Sequence, residues 1–135
     1  MSAALVSAFA APTRVVVSGA GSTVVNGTYA RRSAAAVPAA FASVCRSSGW
    51  DSTGMWKRLN GPRDWWEASN ASYIYFNSGD HLWWLDSGVT GLGVYVSGVE
   101  GSLPPADGWK LIGDGALPLP TVSVDSGGEA GEPSA

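Results

Sequence analysis

The sequence predicts a mainly β domain: a small single antiparallel sheet or barrel-like meander with extended termini. Three observations lead there. From Val15 onward, short apolar or aromatic runs are bounded by Gly, Asn, Asp and Ser at close intervals. Turn pairs that supply positive φ recur at Asn26-Gly27, Ser78-Gly79-Asp80, Asp86-Ser87-Gly88 and Ser97-Gly98. No stretch keeps a convincing 3.6-residue apolar period.

Taken in order, the runs predict strands at 14–18, 24–30, 40–46, 55–59, 65–68, 73–77, 82–86, 94–97 and 121–124. Residues 33–42 could form one short helical turn, interrupted by Pro38. The central hairpin is Tyr73-Ile74-Tyr75-Phe76, the turn Asn77 to His81, and Leu82-Trp83-Trp84-Leu85-Asp86. An internal echo sets Pro12-Thr13-Arg14-Val15-Val16-Val17-Ser18-Gly19 against Pro120-Thr121-Val122-Ser123-Val124-Asp125-Ser126-Gly127, as where one repeat closes and another would begin. The organisation is therefore a leader remnant or extended arm at 1–13, a Trp-rich β domain at 14–124, and a flexible Gly/Glu/Pro/Ser tail at 125–135.

Composition narrows the function. The 135 residues are 45% hydrophobic and only 14% charged, which excludes a coiled coil and a charged disordered chain. No apolar run is long enough for a membrane-spanning helix. A single cysteine, Cys45, excludes an internal disulfide framework and a multi-thiolate zinc site. It sits in an apolar run and reads as a small core residue. The net charge of −3 is unevenly spread: residues 1–50 carry Arg14, Arg31, Arg32 and Arg46 with no acid, and all eleven acids follow.

All seven tryptophans lie between Trp50 and Trp109, and all but Trp50 fall in that same acidic half, which argues against nucleic-acid binding. Trp65-Trp66 and Trp83-Trp84 are tandem pairs, and on a strand each pair sends one indole inward and one outward. A domain this small should leave some indoles on its surface. Trp56, Trp65, Trp66, Trp83, Trp84, Tyr95 and Trp109 are thus the expected binding residues.

The head has an address-like texture. Val6-Ser7-Ala8-Phe9-Ala10-Ala11-Pro12 resembles the Ala-Ser-Ala-Phe-Ala-Pro-like leader junction of complex, red-lineage plastids, where cleavage falls before the phenylalanine, here Phe9. It departs from that pattern in having only Ala3 to Val6 as an apolar stretch before the junction.

A second resemblance covers about residues 15–124. Val25-Asn26-Gly27-Thr28-Tyr29, the hairpin with Trp83-Trp84-Leu85, then Val94-Tyr95-Val96, Leu103-Pro104-Pro105 and Gly108-Trp109, and Pro118-Leu119-Pro120-Thr121 follow in a specific order. Together they resemble a small Trp-rich β repeat of protist, algal and marine animal proteins, with a Val-Asn-Gly-x-Tyr strand and a Pro-Pro-x-x-Gly-Trp exit. The resemblance implies a non-enzymatic interaction module.

Other chemical readings are weaker. Gly19-Ala20-Gly21 lacks the third glycine of a dinucleotide fingerprint, because position 24 is Val24. Ser78, Asp80, His81 and Asp86 could be drawn as a hydrolytic cluster, yet read as solvated turn residues. If a pigment is bound, His81 is the one imidazole available as its axial ligand. Leu103-Pro104-Pro105 to Trp109 resembles the opening of a WW domain, but the rest of that fold does not follow; Trp109 should pack back on the sheet. Asn26-Gly27-Thr28 and Asn70-Ala71-Ser72 are glycosylation sequons.

The expected function is a non-catalytic structural or linker subunit that docks through an aromatic surface and extended termini onto a larger assembly. The head makes a plastid photosystem core or its antenna the expected partner, with the chain thylakoid-associated, peripheral to the membrane, and chlorophyll or carotenoid at the interface. The alternative is a secreted carbohydrate-binding module, whose exposed indoles would stack on sugar.

Overall fold

The computed structural model describes residues 13–125. The leader-like head and all but the first residue of the expected tail lie outside this range. The described chain forms eight strands: β1 (Arg14–Ser18), β2 (Gly27–Arg32), β3 (Trp65–Ala68), β4 (Tyr73–Asn77), β5 (Leu82–Asp86), β6 (Gly93–Ser97), β7 (Trp109–Leu111) and β8 (Thr121–Val124). They make one antiparallel sheet in the order β7-β6-β5-β4-β3-β2-β1-β8, nearly closed into a barrel. The mainly antiparallel fold expected from the sequence is the fold observed.

The predicted central hairpin forms with Tyr73 opposite Asp86, Tyr75 opposite Trp84 and Asn77 opposite Leu82. Its left-handed residue is His81, at φ 60°, not Gly79. The up-and-down order puts the 19–26, 69–72, 87–92 and 112–120 connections at one end of the barrel. Tyr95 ties two of them, its hydroxyl accepting from Ser22 N–H at 2.9 Å and donating to Ala116 O at 2.5 Å. At the other end β1 begins and β8 finishes side by side, with Asp125 N–H donating to Arg14 O and the two side chains in an ion pair.

Two predicted strands are helices. Residues 40–46 lie within α1 (Ala39–Ser48) and residues 55–59 within α2 (Ser52–Asn60). Pro38 does not interrupt a turn but stands immediately before α1, and its carbonyl accepts the first helical hydrogen bond, from Ala42 N–H. Gly49, at φ 74°, closes α1 in the left-handed conformation that glycine adopts without steric cost. Ala40, Phe41, Val44 and Cys45 fall at the i, i+1, i+4, i+5 spacing of a helix face, and Ala40 and Cys45 are buried. In α2, Trp56 and Asn60 are buried one turn apart.

Smaller differences have local causes. Residues 23–25 form a 3-10 turn, so β2 starts at Gly27; the Asn26 side chain folds back to bond both N–H and C=O of Ala20. β7, too short to stand out in the sequence, is an additional strand. The seam between the edge strands β7 and β8 is covered by Pro104 and Pro105, both buried, while Val122 N–H reaches across to Ala106 O. Trp109 packs back as expected, its Nε1 donating to Pro105 O at 3.0 Å. The internal echo does not survive as structure: it equates Val122, which is buried, with Arg14, which faces out, a one-residue offset that exchanges the two faces.

Two cores result. Inside the barrel lie Val15, Val17, Tyr29, Trp66, Ile74, Trp83, Leu85, Tyr95, Trp109 and Val122. Outside it, α1 and α2 cover the outer face of β3 and β4, enclosing Ala40, Trp56, Trp65, Tyr73 and Tyr75.

Candidate functional site

The expected aromatic patch is not on the surface. Trp56, Trp65, Trp66, Trp83 and Tyr95 are each no more than 1% exposed, and Trp109 is 2% exposed. Trp84 is half-buried, and the exposed indole is Trp50, in the link between the helices. The tandem pairs do alternate, with Trp66 and Trp83 pointing into the barrel and Trp65 and Trp84 out of it. The outward pair fails to form a patch because the helices, read from sequence as strands, cover that face. Trp56 is the hub of the cover, with Phe41, Trp65, Tyr73 and Tyr75 ring centroids 4.9–5.9 Å away.

The covered face also holds a polar group that the sequence did not single out for this role. Asp86 is buried opposite Tyr73, whose hydroxyl donates to its Oδ2 at 3.2 Å; Oδ1 is buried without a partner. Burial raises the Asp86 carboxyl to about 7, and the Tyr73 hydrogen bond offsets only part of that. Burial, reinforced by the Asp86 charge, pushes the Tyr73 and Tyr75 phenols well up. Tyr75 Oη accepts from Asn77 Nδ2 at 3.1 Å. With the helices over it, this cluster is closed to a substrate.

The hydrolytic quartet is not assembled. Ser78 Oγ is spent on the carbonyls of Arg58 and Leu59. Asp80 accepts from Leu82 N–H and Trp84 Nε1, while Asp86 lies at the far end of the hairpin. His81 is exposed in the turn with the Phe76 ring edge-on at 5.9 Å, and it lines neither cleft described below. Among the described residues no group of three His, Cys, Asp or Glu could hold a metal, and no helix is long and apolar enough to cross a membrane. Both sequon asparagines are engaged, Asn26 with Ala20 and Asn70 with Val24 O and Ser72 N–H.

What the surface offers instead is aliphatic. At the barrel end that gathers the 87–92 and 112–120 connections, Val89 is 74% exposed, Leu117 67%, Leu92 58% and Leu119 41%. A shallow depression of about 220 Å³ lies there, lined by Ser22, Thr90, Leu92, Gly113 and Asp114 among others. A larger cleft of about 490 Å³ opens in the connection from β2 to β3, between Ala34 and Val37 on one side and Trp56, Lys57 and Pro62 on the other. Comparison with family models, with curated proteins and with solved structures finds no match to this chain.

Proposed function

We propose that the chain is a non-catalytic structural subunit that docks onto a larger protein assembly, its contact surface being the aliphatic rim of one barrel end and not the tryptophans. The observation that carries this reading is the exposure of Val89, Leu92, Leu117 and Leu119 on connections brought to that one end. Exposed aliphatics gathered on a surface with few charges are what a protein contact desolvates at least cost. The residues able to do acid–base work are dispersed or sealed, which favours docking over chemistry. The head sequence points to the plastid photosynthetic complexes as the assembly. The sugar-binding alternative needs a row of exposed indoles, and the row is buried.

The test is gentle-detergent purification of the tagged chain from a photosynthetic membrane, in wild type and in the double variant Val89→Asp, Leu117→Asp. Both side chains are largely exposed, so the variant should keep its melting temperature. The wild type is expected to co-purify with a photosystem or its antenna and the variant to be lost from it. Co-purification of both would remove the rim from the reading, and fractionation of the wild type as a lone monomer would remove the assembly.

A further inference from the structure

The β2–β3 connection carries a second feature, independent of the docking rim. The cleft there is preformed and of a size that small ligands occupy, and its walls are apolar: Ala34, Val37, Trp56 and Pro62. Thr53 and Lys57, four residues apart on α2, lie on one helical face and bring the polar groups to this cleft. Among the described residues Lys57 is the sole charged one lining it, is exposed, and is in no ion pair.

The two indoles beside the cleft are held differently. The Trp56 side chain lines the cleft and is 1% exposed, yet its Nε1–H is buried without an acceptor. The neighbouring Trp65 Nε1, by contrast, donates to both Ser33 O and Ala36 O. A buried donor left unpaired costs about 1–3 kcal/mol. The Trp56 nitrogen lies out of reach of water, behind the cleft wall, so its resonance reports on the cleft without contacting what fills it.

We propose that this cleft binds an amphiphilic monocarboxylate. Its hydrocarbon chain lies along Val37, Trp56 and Pro62, and its carboxylate pairs with Lys57 and accepts from the Thr53 hydroxyl. A cation is repelled by Lys57. A neutral alcohol fills the apolar walls but gains no ion pair. A phosphate carries a second charge that Lys57, the one charged lining residue among those described, would leave unmatched.

The experiment titrates decanoate, decanol and decyltrimethylammonium, each below its aggregation threshold, into the whole chain. The readout is the Trp56 indole N–H resonance, assigned by its loss in Trp56→Phe or, if that variant does not fold, by its contacts to Phe41 and Tyr75. Decanoate should shift it saturably, decanol about fivefold more weakly, and the ammonium not at all. Lys57→Met should reduce decanoate to the level of decanol with an unchanged melting temperature. No saturable shift with decanoate, or equal decanoate affinity in wild type and Lys57→Met, would overturn the proposal. Either result leaves the docking reading standing, since the rim is at other residues.

Discussion

The two cores of this domain are built from the same strands but differ in kind. The barrel interior is almost wholly apolar, and the hydroxyls of Tyr29 and Tyr95 there reach the backbone carbonyls of Val25 and Ala116. The outer core, between β3–β4 and the helices, meets a buried carboxylate, two phenols and two amide side chains at its margins. Three of its polar atoms, Trp56 Nε1, Asn60 Oδ1 and Asp86 Oδ1, are buried without partners. The inner core holds the fold by packing and by hydrogen bonds from its rings to the backbone, with Trp83 Nε1 buried without a partner, whereas the outer core is where ionisation and ligands can alter the molecule.

That contrast can be broken most forcefully at the Trp83–Trp84 pair. Trp83→Ala removes a fully buried indole from the barrel and should cost about 3–5 kcal/mol, lowering the denaturant midpoint with it. Trp84→Ala removes a half-buried one and should cost about 1–2 kcal/mol. Equal losses would mean that the alternation does not separate the cores.

Next in size is a pH effect confined to the outer core. The folded state holds the Asp86 proton up to about pH 7, whereas an unfolded aspartate releases it near its ordinary value of 3.8. Between those values the native state binds more protons, so stability is highest at acid pH and falls as pH rises through the window. The loss across that window is at most about 4 kcal/mol. Denaturant titrations at pH 4.5 and 8 should show the loss in wild type and in Trp84→Ala. In Asp86→Asn the slope should flatten, and a slope that persisted there would place its origin elsewhere.

The smallest effect sharpens the inner side of the comparison. Tyr95→Phe keeps the packing but removes the hydroxyl that joins Ser22 to Ala116, and should cost about 1 kcal/mol with no pH dependence. Faster amide exchange at Ser22 would report the loosened loop end, and unchanged exchange would show that the hydroxyl does not tie it.

Much of the barrel was legible because strands announce themselves by alternation. Val15 and Val17, Trp65 against Trp66, and Ile74 between two tyrosines all face as a two-residue period requires. The helices were not, although their brackets were visible. Pro38 and Gly49 frame α1, and Asp51 and Gly61 frame α2, but each segment is short and its apolar residues are also strand residues. That single misreading carried into the site, because exposure of Trp56 and Trp65 depends on what covers them and not on their own spacing. The cleft was beyond reach for a different reason: it exists only because Ala34 and Pro62, distant in sequence, come together in space.

The adjacency of Arg14 and Asp125 bears on how this domain can be combined with others. Entry and exit are neighbouring antiparallel strands, about 5 Å apart, fastened by a backbone hydrogen bond and an ion pair. A unit of that shape can be spliced into a surface turn of a host protein with hardly any separation of the host's own ends. Strung in tandem, such units would hang from a common thread by one pole, leaving the opposite, aliphatic pole of each turned away from the connection.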